Sequence, residues 1–142
     1  MSIRFFNDNT KYSIQNKAVI RKFLDKVITD ENKTPGDLIF ILASDKTVRD
    51  INKKFLEHDY NTDVISFDYS SETAVNGEIY ISIDTVKRNG TLYKTGFKEE
   101  LLRVMVHGVL HLCGYRDVNK TERDIMFERQ EQVLKQFEGG GK

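Results

Sequence analysis

The chain has 142 residues, the usual size of one domain, and its 22 basic and 22 acidic residues cancel to zero formal charge. That balance argues against a nonspecific polyanion binder, whose affinity would come from many Lys and Arg neutralising phosphates, although a local basic groove needs only an uneven distribution. A lone cysteine, Cys113, excludes an internal disulfide framework, and the longest apolar run, Leu38 to Ala43, is far too short to cross a bilayer. With no apolar leader between Met1 and Thr10, the chain reads as a cytoplasmic protein without membrane contact.

Ile3 and Phe5 alternate with polar neighbours and predict a first strand. From Asn16 to Glu31, Ile20, Phe23, Leu24, Val27 and Ile28 recur at helical spacing and predict an amphipathic helix. Pro35-Gly36 marks a turn, and Leu38 to Leu42 is a continuous apolar run of the kind found in buried strands. Thr47 to Asp50 has the form of a capping box opening a helix through Ile51 and Phe55. Val64 to Tyr69 predicts a strand with Ile65, Phe67 and Tyr69 on one face. A loop from Ser70 to Asn76 precedes a half-buried strand in which Ile79, Ile81 and Ile83 alternate with Glu78, Tyr80 and Ser82. Asp84 is placed to cap a short helix. Lys98 to Cys113 is apolar on most sides, as a central buried helix would be, and Gly114 suits its termination. Thr121 to Asp124 predicts the start of a last helix through Met126, Val133, Leu134 and Phe137. Strands and helices without regular alternation predict an α+β domain over residues 1–138, with 139–142 as a flexible tail.

The segment Val106 to Asp117 carries the chemistry. His107 and His111 are four residues apart, so on a helix they share a face one turn, about 6 Å, apart. Two such imidazoles can converge on one ion at about 2.0–2.1 Å each. Gly114 can turn the chain back so that Asp117 closes the site, with the fourth position left open for water, the arrangement of catalytic zinc. Gly108 stands where a HExxH metalloprotease has its general-base Glu, so peptidase chemistry loses its proton acceptor. A paired His motif also occurs by chance, and a buried His is more often hydrogen-bonded core than ligand. Here two of the three histidines of the chain sit one turn apart in an apolar helix, where buried rings need partners.

The run His107 to Tyr115 resembles the motif of the YbeY family of endoribonucleases and rRNA maturation factors. Ile51-Asn52, Asp59 and Thr62 to Phe67 resemble that family's second motif. Gly77 to Ser82 is similar to its strand after the loop, and Met126 and Glu131 sit where its last helix tends to carry Met and Glu. The resemblance implies a mostly four-stranded mixed sheet packed with about five helices, with one zinc per chain in an open cleft at the end of the buried helix. It implies cleavage of single-stranded RNA, work in 16S rRNA maturation and ribosome quality control, and ribosomal particles or proteins as partners, the chain itself acting as a monomer. The chain departs from the pattern at three positions. Asp117 replaces a usual histidine ligand, Arg116 stands where an Asp is usual, and Leu56 follows Phe55 where the family carries an Arg.

His58 and Arg116 are candidates for the missing positive charge, although a lone His such as His58, flanked by Glu57 and Asp59, is more often simply an exposed loop residue. Lys17, Arg21, Lys22 and Lys26, and Arg49, Lys53 and Lys54, form runs that are usually solvated faces and become an RNA track only beside the cleft. Phe67 and Tyr69 can stack on bases but at strand spacing read as core. Cys113 reads as a buried small hydrophobe, and Glu122 and Asp124 as fallback ligands. The leading expectation is a zinc-dependent endoribonuclease. Its rivals are a nonenzymatic, metal-containing ribosome-assembly factor and a metal-dependent hydrolase of a small phosphoester.

Overall fold

The alternation at Ile3 and Phe5 becomes strand β1 (Ser2–Asp8), and the amphipathic stretch becomes helix α1 (Lys17–Asp30), burying Leu24, Val27 and Ile28. The computed structural model describes residues 2–56 and 62–140 of the chain. Strand β2 (Thr34–Ala43) follows, then α2 (Asp45–Leu56), β3 (Val64–Asp68), β4 (Ala74–Ser82), α3 (Ile83–Leu92), α4 (Phe97–Leu112) and α5 (Lys120–Gly140). The fold is α+β. Its mixed sheet has the order β1-β2-β4-β3, in which β1 and β2 run parallel, β2 and β4 parallel, and β3 and β4 antiparallel. No helix among the described residues is long and apolar enough to cross a membrane.

The period of two divides the sheet into faces. On one, Leu38, Phe40, Leu42, Ile79 and Ile81 join Val104 to Val106, Val109 and Leu110 of α4 in the main core. On the other, Ile65, Phe67 and Tyr80 pack with Val48 and Ile51 of α2 in a smaller cluster. Phe67 is therefore core, while Tyr69 is exposed and donates its hydroxyl to Glu78 at 3.2 Å. Gly108 and Gly77 let α4 lie close on the sheet. A Cβ at Gly108 would come within 2.9 Å of Ile79 Cδ1, and one at Gly77 within 2.8 Å of Leu112 Cδ1.

Several expected boundaries move. Pro35-Gly36 lies inside β2, at a register shift between Pro35 and Leu38, rather than in a turn before it. A Cβ at Gly36 would lie 2.3 Å from Asn76 Oδ1, so the glycine accommodates the neighbouring strand. Strand β4 begins at Ala74, within the stretch expected to be loop, because Thr34 and Pro35 pair with Ala74 and Val75. Ile83 opens α3 instead of ending β4.

The helix starts come earlier than expected. Ser44 Oγ accepts from the backbone N–H of Thr47 at 3.3 Å, Ser82 Oγ from Thr85 at 3.3 Å, and Asn119 Oδ1 from Glu122 at 2.9 Å. These three side chains satisfy the first-turn donors that Thr47, Asp84 and Thr121 were expected to satisfy. Asp84 caps nothing in α3; its carboxylate accepts from the backbone N–H of Asp45 at 2.9 Å, tying α3 to α2.

A candidate active site on helix α4

From Glu99 to its end, helix α4 is buried at every position but four, and what breaks the burial is regular. Glu99, Arg103, His107 and His111, each four residues from the next, are its partly exposed positions after Lys98, giving one polar stripe along an apolar helix. The two histidines thus share a face, as their spacing predicts. Gly114, with φ of 113°, ends the helix, as expected. Its N–H donates to the carbonyl of His111 and that of Tyr115 to the carbonyl of Leu110, each at 3.1 Å, the paired closure typical of a glycine terminus.

The chain beyond Gly114 is anchored at Tyr115, whose hydroxyl donates to Glu31 Oε1 at 2.8 Å. The other oxygen of Glu31 accepts from Arg129 Nε at 2.7 Å, so one carboxylate ties the α4–α5 connection to the end of α1 and to α5. Burial, and secondarily this hydrogen bond, push the Tyr115 phenol up to about 12. Cys113 is buried beside it with its thiol also pushed up to about 12, chiefly by burial, the state of an inert hydrophobe.

Among the described residues, two cavities flank His107. One, of about 240 Å³, is lined by His107, Asp117, Arg123, Met126, Phe127 and Gln130. The other, of about 170 Å³, is lined by Asp63, Val64, Glu100, Arg103, Val104, His107 and Gln130. His107 and Gln130 belong to both walls and are bonded to each other, with 2.8 Å between Nδ1 and Oε1. The two cavities differ in charge. Around the smaller one, Arg103 is the cation among Asp63, Glu99, Glu100 and Glu131, donating to the last three at 2.9–3.3 Å. Burial raises the Asp63 carboxyl above the usual range, with His107 opposing. At the larger cavity the Arg123 guanidinium donates to the carbonyl of Asp117 at 3.4 Å, and Phe127 is 60% exposed at the rim.

Of the expected ligands, His107 and Asp117 line one cavity and His111 lies one turn from His107 on the same stripe. Among the described residues, no group of three or more His, Cys, Asp or Glu side chains stands close enough to hold a metal ion. The histidine pair suits such an ion, because the bond to Gln130 occupies Nδ1 of His107 and leaves Nε2 available. Asp117 is exposed, on the chain that follows Gly114. The fallback carboxylates are engaged elsewhere, Asp124 with Lys120 at 2.8 Å and Glu122 with Arg116 at 3.7 Å. Arg116 lines neither cavity. His58 lies outside the described residues. The basic residues of α1 and α2 line neither cavity at His107.

Sequence reading passed over Arg123, Phe127 and Gln130. Together with Met126 they recur at i, i+3, i+4 and i+7 along α5, a stripe legible as one face but not as the wall of a cavity. Asp63 lay in the quoted second motif without a role.

Comparison with known proteins agrees with this architecture. The chain superposes on the solution structure of TM1509 from Thermotoga maritima with a TM-score of 0.68 and 27% identity, covering 97% of this chain and 90% of that one. It is 41% identical over 132 residues to the endoribonuclease YbeY of Flavobacterium psychrophilum, covering 93% of this chain and 94% of that protein. It is 38% identical over 135 residues to that of Christiangramia forsetii, covering 95% and 94%. The family model described as endoribonuclease YbeY matches residues 3–138, nearly every residue that builds the sheet, the polar stripe of α4 and the wall of α5. On that match, and on relatives that align almost end to end, the chain belongs to the endoribonuclease YbeY family.

Proposed function

We propose that the protein is a zinc-dependent endoribonuclease that cuts unpaired RNA, acting in the cytoplasm on 16S rRNA during its maturation and in ribosome quality control, with ribosomal particles as its partners. The observation that carries the reading is the polar stripe of α4, which brings His107 and His111 to one face beside a cavity that also holds Asp117 and Arg123. His107, His111 and Asp117 would hold the ion, with Asp117 drawn in from its exposed position. Zinc, when bound, supplies Lewis-acid polarisation of a phosphoryl oxygen.

The residues of the chain supply the rest. Arg123 offers a guanidinium to a phosphate on the larger-cavity side of His107, where it can bind two oxygens at once. Phe127, one turn further along α5, presents an exposed ring on which an unpaired base can stack. The carboxylates around the smaller cavity repel a phosphate backbone, which favours passage of the strand on the Arg123 side. Arg123 thereby provides the positive charge that Leu56 does not.

Metal content and RNA cleavage test the reading together. Wild-type protein is expected to carry one zinc per chain and to cut single-stranded RNA, losing both after His107→Ala or His111→Ala. Asp117→Ala should weaken binding. Equal metal in all four proteins would overturn the ligand assignment. Retained metal with no cleavage of any unpaired RNA would overturn the enzymatic assignment and favour a nonenzymatic assembly factor.

A further inference from the structure

An amide side chain looks the same whichever way round it is placed, until its neighbours choose. Gln130 is 5% exposed, and both ends of its amide have partners. Its Nε2 donates to Glu131 Oε2 at 3.1 Å, and its Oε1 faces His107 Nδ1 at 2.8 Å. Glu131 is in turn gripped by Arg103, Nε to Oε2 and Nη2 to Oε1, each at 3.0 Å, a two-pronged contact that holds the carboxylate in one plane. The hydrogen bond from Arg103 keeps the Glu131 carboxyl below its usual range, so it is an acceptor only. Reversing the Gln130 amide would set its carbonyl oxygen against that carboxylate. The orientation is therefore decided by charge. With Oε1 turned to His107, the ring nitrogen it meets must be the donor.

We infer that Gln130, oriented by Glu131 and Arg103, is a positioning residue that fixes His107 as the tautomer protonated on Nδ1 and presents the Nε2 lone pair to a cation. The part concerning the cation rests on His107 being a ligand; the tautomer does not. The relay spans α4 and α5, with Arg103 one turn before His107 and Glu131 next to Gln130. It makes ligand orientation depend on how the two helices pack. It also gives the buried Gln130 and the partly exposed Arg103 a role beyond packing.

Long-range proton–nitrogen NMR correlations on metal-free, nitrogen-15-labelled protein, in mildly alkaline buffer, read the tautomer directly. Wild-type His107 is expected to carry its proton on Nδ1. Gln130→Glu keeps an acceptor and should retain that pattern, whereas Gln130→Leu removes it and should shift the ring toward the Nε2-protonated form. Zinc competition titrations should show a loss of about 10–100-fold in affinity for Gln130→Leu and no such loss for Gln130→Glu, the usual effect of a partner behind a metal-binding His. Wild-type protein with the proton on Nε2 would overturn the proposal and needs no variant to fold. So would an unchanged tautomer in folded Gln130→Leu. If no variant binds zinc while the tautomer follows Gln130 as expected, the metal reading fails and the relay stands.

Discussion

Gly108 of α4 and Ile79 of β4 approach so closely that a Cβ on the glycine would sit 2.9 Å from Ile79 Cδ1 and 3.0 Å from Cγ2. Ile79 is fully buried, so it has little room to yield. This contact is why position 108, directly after His107, carries no side chain. A Glu there, as in a HExxH helix, would drive a carboxylate into the sheet.

Gly108→Ala should therefore destabilise the protein by about 1 kcal/mol, overpacking outweighing the gain in helix propensity. Ile79→Val removes Cδ1 and should recover part of that loss in the double variant. Chemical denaturation of the four proteins measures the coupling. Strict additivity would show that the glycine is not required by this contact. Gly108→Glu is expected to yield no folded protein.

The proposed substrate contacts are separable from the proposed metal contacts. Arg123→Ala and Phe127→Ala alter the cavity wall but none of the proposed ligands, so metal content should stay at the wild-type level. Phe127→Ala should weaken binding of unpaired RNA by about 1–3 kcal/mol. Arg123→Ala should weaken it and also flatten its salt dependence, by about one phosphate contact. Filter binding across a salt series is the measurement. A salt slope unchanged by Arg123→Ala would remove this residue from the phosphate contact.

The Tyr115–Glu31–Arg129 cluster holds the chain that carries Asp117, and its phenol responds to pH. The phenol of Tyr115 is raised from the ordinary 10.0 to about 12, first by burial and then by the hydrogen bond to Glu31. Its protonated form is favoured by folding. That contribution is complete below pH 10.0 and is lost as the pH rises toward about 12. Glu31→Ala should cost about 2 kcal/mol, since hydrogen bonds to a charged group are the stronger kind. It should also bring the phenol back toward its ordinary value. Ultraviolet titration of tyrosine ionisation in the two proteins tests this. A Tyr115 transition identical in both would show that Glu31 contributes nothing to it.

Periodicity alone determined most of the architecture. The spacing of two around Ile79 and Ile81, the helical recurrence in α1 and the unbroken apolar character of α4 each reflect a face that must leave water, and burial leaves that mark in local sequence. The same reasoning put His107 and His111 on one face, and Gly114 at the helix end, because both follow from the geometry of a single helix. Capping residues were misplaced by two or three positions, since Ser, Thr, Asp and Asn all suit the role and only the neighbouring element decides which is used. Asp84 was drawn to α2, and Ser82 capped α3 instead. The register of Pro35-Gly36 against Ala74-Val75 was equally out of reach, being a contact between segments about forty residues apart. Tertiary structure alone brought α5 against α4. It made Arg123, Phe127 and Gln130 the wall of a cavity at His107, and it locked an amide through Glu131 and Arg103. A pattern along one helix says which residues share a face, but what that face meets is settled by packing among elements far apart in the chain.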